Sequence, residues 1–133
     1  MTRYVIDAPT LLHIVATGMR VEASHQIVAP GVIRSQALAL LFAAVRRRDL
    51  SEEQALEQHE RLTKLKMRLL GDRVSRRTAW RIARDHGWET IYEAEYIAVA
   101  ALQADALVTV DPALAAKAEG LVPLASLNAL IDP

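Results

Sequence analysis

The sequence contains no cysteine. That absence excludes a disulfide framework, a thiolate zinc site and a cysteine nucleophile, and it suits a reducing cytoplasm. Long apolar runs are missing as well. The longest, "ALALLFAAV", covers residues 37 to 45, well short of the ~20 residues that cross a bilayer as a helix. In the opening "MTRYVIDAPTLL", Arg3 and Asp7 place charges where a signal peptide needs an apolar core. The expectation is a cytoplasmic protein, neither exported nor membrane-spanning. There is no glycine-rich phosphate loop, repeat, linker or low-complexity segment, and His13, His25, His59 and His86 show no paired metal-ligand spacing.

What is present is one domain's worth of chain: 133 residues, 52% of them hydrophobic, enough for one core but not two. Net charge is zero, yet twelve of the sixteen Lys and Arg lie between Arg46 and Arg84 against six acids, so that span carries +6 and the remainder −6. Strong local fields are therefore compatible with overall neutrality.

"YVI" (4 to 6), "QIVA" (26 to 29), "MRLLG", "ALVTV" and "LVPL" read as short strands rich in aliphatic side chains. Helical patterns separate them. Residues 31 to 48 place Ile33, Ala37, Leu40, Leu41 and Ala44 at helical spacing. "SEEQ" is a capping box opening a helix whose Leu56, Leu62 and Leu65 are expected to face the core. "SRRTAWRIARDHG" is a helix ended at Gly87, where a left-handed backbone is favoured; its Trp80 is expected to pack in the core, with stacking on bases the alternative use for it and for Trp88, and further helices follow over 91 to 103 and "SLNALI". Strands alternating with helices predict an α/β fold with three layers, α/β/α, around a parallel sheet of about five strands.

In such folds sites form beyond the carboxyl ends of the strands. Asp7 and Asp111 each end a strand, and Glu93 lies in the first turn of a helix. Convergence of the three would gather hard oxygen ligands of the kind Mg²⁺ or Mn²⁺ requires. Each acid also has a purely structural use: Asp7 and Asp111 as helix N-caps, the latter with Pro112 at the first helical position, and Glu93 as partner of Thr90 in a second capping box. Thr109 falls on the same side of its strand as Asp111 and is within reach of a ligating carboxylate or a phosphate. Arg77, Arg81 and Arg84 form a stripe on one helix face that suits an RNA backbone or simply solvent.

"YVIDAPTLL", "VAPGVIRSQALALLFAAVRRRDLS" and "GWETIYEAEYIAVAALQADALVTVDPALA" resemble, over nearly the whole chain, PIN-domain ribonucleases of the VapC toxin type. These are usually encoded beside a VapB antitoxin. Family members carry an aspartate after the first strand, a glutamate in the helix after an Ala-Pro-like start, an aspartate in a "YDAxYxALA" segment and an aspartate in "VTAD". The matching positions here are Asp7, Gln36, Glu93 and Asp111. The resemblance implies a Mg²⁺- or Mn²⁺-dependent endoribonuclease with Asp7, Glu93 and Asp111 as catalytic and metal-holding residues, an RNA substrate, a VapB-like antitoxin and a homodimer. Two positions depart from the pattern. Glu93 is one methylene longer than the usual aspartate, and Gln36 replaces a carboxylate by a neutral amide, with no acid between Ala23 and Arg48 to take its place. Gln36 and Thr109 are then supporting groups or weak ligands. The alternative is a PIN scaffold with weakened or lost catalysis that binds RNA or an antitoxin. An aspartyl phosphatase would need "DxD" where the chain has "DAPT", and a receiver domain would need paired early acids and a late lysine that neither "YVIDAP" nor "LVPLAS" supplies.

Overall fold

Two charge-free runs, Tyr4–Ile6 and Ala106–Val108, make the middle of a sheet because their aliphatic side chains can be covered on both faces. A computed structural model describes residues 1–131. In it, β1 (Thr2–Ile6) lies between β2 (His25–Pro30) and β4 (Ala106–Val108). Strand β3 (Arg68–Leu70) flanks β2 and β5 (Leu124–Ala125) flanks β4, and all four pairings are parallel. Val5, Ile6, Leu107 and Val108 are wholly buried.

From β1 the chain moves outward through α1 (Ala8–Thr17) to β2, and through α2 (Ile33–Arg46) and α3 (Glu52–Lys64) to β3. It returns across the sheet by way of α4 (Arg73–Asp85) and α5 (Tyr92–Gln103) to β4. Helix α6 (Pro112–Ala118) then leads to β5, and α7 (Leu127–Leu130) follows. Parallel crossovers are right-handed, so reversing the direction of travel puts α1 to α3 on one face and α4 to α6 on the other. Helices α1, α2 and α3 pack on one another, while α5 lies on β1, β2 and β4 and against α4. This is the expected three-layer α/β/α fold with five parallel strands. The reversal also creates a topological switch point between β1 and β4, where adjacent strands send their following helices to opposite faces.

Local chemistry sets the element boundaries. Ser51 and Gln54 form the capping box in both directions, at 3.1 and 2.9 Å. Gly87 ends α4 with φ +68°, a conformation costly for other residues. Asp72 caps α4 by accepting hydrogen bonds from the Ser75 amide and hydroxyl, so the helix begins two residues before the expected "SRRTAW". Helix α5 starts at Tyr92 without a side-chain cap, and Thr90 forms no box with Glu93.

Three expected core residues are exposed instead. Helix α2 buries Ile33, Ala37 and Leu41, which turns Leu40 outward by about 100°, the step between neighbouring helical residues. Helix α3 buries Ala55 and Leu62 and leaves Leu56 in solvent. Helix α4 meets α5 through Ala79 and Ala83 against Ala94 and Ala98. Small side chains on both helices let them approach closely, which leaves Trp80, next to this seam, 69% exposed. Among the described residues no helix is long and apolar enough to cross a membrane.

Candidate active site

Asp7 follows β1 and Asp111 follows β4, so the switch point brings them to one place. Each caps the helix after it: Asp7 accepts from the Thr10 amide at 3.3 Å, and Asp111 from the Ala113 amide at 3.0 Å. Capping and site formation are therefore not competing explanations. The caps orient the carboxylates at the helix N-termini, and both line a cleft of about 110 Å³. Glu93, Gln36, Tyr92 and Tyr96 line it too.

Two threonine hydroxyls tie the halves of the cleft together. Thr10 Oγ1 donates to Asp7 Oδ1 and accepts from the Val110 amide at 3.0 Å. Thr109 Oγ1 donates to Asp7 Oδ2 at 2.9 Å and accepts from the Asp111 amide at 3.0 Å. The segment after β4 is thus fastened to the Asp7 carboxylate through both of its oxygens. Thr109 was singled out in the sequence; Thr10 was not, although its position three residues after an N-cap is where a reciprocal capping partner sits. Asp7 is only 4% exposed. Burial pushes its carboxyl above the ordinary range, and the hydrogen bonds from Thr10 and Thr109 oppose that shift without cancelling it.

Gln36 and Glu93 are both engaged. Tyr96 donates its hydroxyl proton to Gln36 Oε1. Burial, together with the charges of Asp7 and Glu95, raises the phenol further above its ordinary range, so the donor stays protonated. The Gln36 oxygen already accepts one bond and the amide nitrogen only donates, a character better suited to a phosphate oxygen than to a cation. Glu93 Oε1 lies 2.5 Å from Lys117 Nζ of α6, and that ammonium also sits 5.2 Å from the centre of the Trp88 ring. Tyr96 occurs one turn after Glu93, a spacing visible in the sequence, whereas the approach of Lys117 depends on tertiary packing.

Among the described residues, no group of three or more His, Asp or Glu side chains is arranged to hold a metal ion. The donor set still fits a looser mode of binding. Mg²⁺ commonly keeps several waters and takes one or two protein carboxylates. Asp7 and Asp111 are two such carboxylates lining the same cleft; Asp7 Oδ1 is filled by two bonds from Thr10, but Asp7 Oδ2, with one bond from Thr109, and Asp111, with one from the Ala113 amide, keep acceptor sites open. Glu93 would contribute only after exchanging Lys117 for the ion. Larger hollows lie elsewhere, one of about 800 Å³ lined by Arg20, Glu22, His25, Lys66 and Arg68 among others. Another, of about 280 Å³ at the ends of β2 and β3, is lined mainly by apolar residues with Ser75, Arg76 and Glu95. Arg77, Arg81 and Arg84 lie outside the cleft, around a separate depression on α4.

The fold and the paired aspartates thus define an α/β/α protein with an acidic cleft at its switch point. No protein-family model matches the chain, and no curated protein matches its sequence. Among solved structures it is similar to PAE2754 from Pyrobaculum aerophilum, with a TM-score of 0.71, 22% identity, and coverage of 96% of this chain and 92% of that one. At that identity the similarity establishes the shared fold.

Proposed function

We propose that the protein is a PIN-type, metal-dependent endoribonuclease that cleaves RNA in the acidic cleft and serves as a toxin silenced by a VapB-like antitoxin. The observation that carries this reading is the meeting of Asp7 and Asp111 at the switch point, cross-tied by Thr10 and Thr109. Asp7 and Asp111 would hold Mg²⁺ or Mn²⁺, with Glu93 as a third, exchangeable ligand. When bound, such an ion supplies a water of lowered pKa and neutralises charge on the scissile phosphate. The threonines hold the Asp7 carboxylate in one rotamer, so no reorganisation is required as substrate arrives. The Gln36 amide offers a donor to a phosphate oxygen, and Lys117 offers an ammonium to the polyanion as well as to Glu93. An antitoxin side chain entering the same cleft would be cationic, because uncompensated carboxylates attract an arginine as readily as a metal.

A second reading, a PIN scaffold that binds RNA or an antitoxin without cutting, draws support from the same two engaged residues. Gln36 lacks the charge of a carboxylate, and Glu93 already has a cation in Lys117. A cleavage assay separates the two. Single-stranded RNA should be cut in Mg²⁺ or Mn²⁺, spared in EDTA, and cut at least about a hundredfold more slowly by Asp111→Asn, since outer partners of metal sites alone are worth ten- to hundredfold. Asparagine caps a helix about as well as aspartate, so unfolding would not explain a loss. No cleavage with either metal would favour the scaffold that does not cut, and equal cleavage in EDTA, or by the variant, would rule out a metal-dependent nuclease acting through Asp111.

A further inference from the structure

The outer face of α4 carries an unusual combination. Arg77, Trp80, Arg81 and Arg84 share one side of the helix and, with Val74 and Thr78, surround a depression of about 490 Å³. Trp80 is 69% exposed and Val74 is 59% exposed. Among the described residues, Arg77 and Arg81 have no ion-pair partner, while Arg84 is paired with Asp85 at 3.0 Å, both of them largely in solvent. Asp72, the other acid at this helix, is occupied in capping. An indole left in water costs free energy unless something covers it, and here whatever covers it must also suit a row of guanidinium groups.

We infer that this face is a binding site for single-stranded RNA, with Trp80 stacking on a base and Arg77 and Arg81 contacting flanking phosphates. Stacking platforms edged with positive charge are the means by which single strands are held without sequence preference. A duplex fits less well, because its bases are already stacked and present no free face to the indole. A second copy of the chain fits poorly too, because a two-fold contact through this face would set the arginine row against itself. The site is separate from the acidic cleft and does not depend on catalysis there.

The test is equilibrium binding of a fluorescein-labelled single-stranded RNA of roughly a dozen nucleotides, followed by anisotropy in EDTA so that the RNA stays intact. Trp80→Ala should weaken binding roughly tenfold, within the range reported for one base stacked on an aromatic ring. Its salt dependence should be unchanged, and Trp80→Phe should recover most of the affinity. Arg77→Ala with Arg81→Ala should flatten the plot of log affinity against log salt by about 1.4, at ~0.7 for each phosphate contact on a single strand. Because these side chains are exposed, the variants should melt like the wild type. Several results would each overturn the assignment: wild-type affinity in Trp80→Ala, equal losses on single-stranded and duplex RNA, displacement of the RNA by an acidic peptide of equal charge, or a change from dimer to monomer in sedimentation without loss of RNA binding. Absence of cleavage in the metal assay would leave this inference standing, since binding is measured without the ion.

Discussion

Asp7→Asn should produce a protein that folds at least as well as the wild type and has lost at least about a hundredfold of its metal-dependent RNA cleavage. Asparagine keeps an oxygen to accept from Thr10. Its amide can donate to the Thr109 hydroxyl, which has a spare lone pair. The α1 cap therefore survives, and the cost of an ionised group at a 4% exposed position disappears. The pH dependence provides an internal check. Because burial raises the Asp7 pKa above its ordinary 3.8, the folded state binds its proton more tightly than the unfolded state does. Ionising Asp7 consequently costs stability as pH rises through the folded pKa, and the cost is absent below the unfolded value. The stability of Asp7→Asn relative to wild type should thus be greater at neutral pH than near pH 3. A variant less stable at neutral pH than at acid pH, relative to wild type, would contradict the assignment of a net burial penalty. Chemical denaturation of both proteins across that range, without divalent ions, measures the difference.

Gln36→Glu should act in the opposite sense, tightening Mg²⁺ or Mn²⁺ binding by roughly one to two orders of magnitude. At an effective dielectric of about 20 and ~4 Å, a restored charge gains several kcal/mol of gross attraction to a divalent ion, most of it offset by desolvation. About 1.4 kcal/mol of net gain corresponds to each tenfold. Tyr96 should remain a donor to the new carboxylate because its phenol is held protonated. The new charge also lies in the cleft with Asp7, so the metal-free variant should be less stable than wild type at neutral pH and should regain stability on adding Mn²⁺. Faster cleavage alongside tighter binding would identify a weakened nuclease, whereas tighter binding without cleavage would favour the non-catalytic scaffold. If metal affinity did not change, Gln36 would have no part in ion binding.

The paired aspartates were readable in the sequence because each ends an aliphatic run and is followed by a helix start with proline in its first turn, so one residue type meets both a local and a global requirement. The parallel sheet was readable for a similar reason: strands such as "ALV" and "IVA" admit no charge on either face. Periodicity served less well where a helix packs through a narrow seam. In α4 the presence of an aromatic ring suggested burial, but close contact with α5 requires alanine on both sides, and the ring was displaced to the surface. Leu40 and Leu56 show the same effect, since several apolar positions were available and only packing selects among them. The Lys117–Glu93 pair was not readable at all. It joins residues 24 apart in the chain, on two different helices, and no local spacing distinguishes that lysine from a solvated one.

Titration of the protein with Mn²⁺, with the free ion followed by electron paramagnetic resonance, decides whether Asp7 and Asp111 together hold a divalent ion. The wild type should bind one ion, and Asp7→Asn, the variant expected to keep its fold, should bind it at least about tenfold more weakly. Absence of Mn²⁺ binding by the wild type at millimolar concentration, or equal affinity in the two proteins, would contradict a shared site at Asp7 and Asp111.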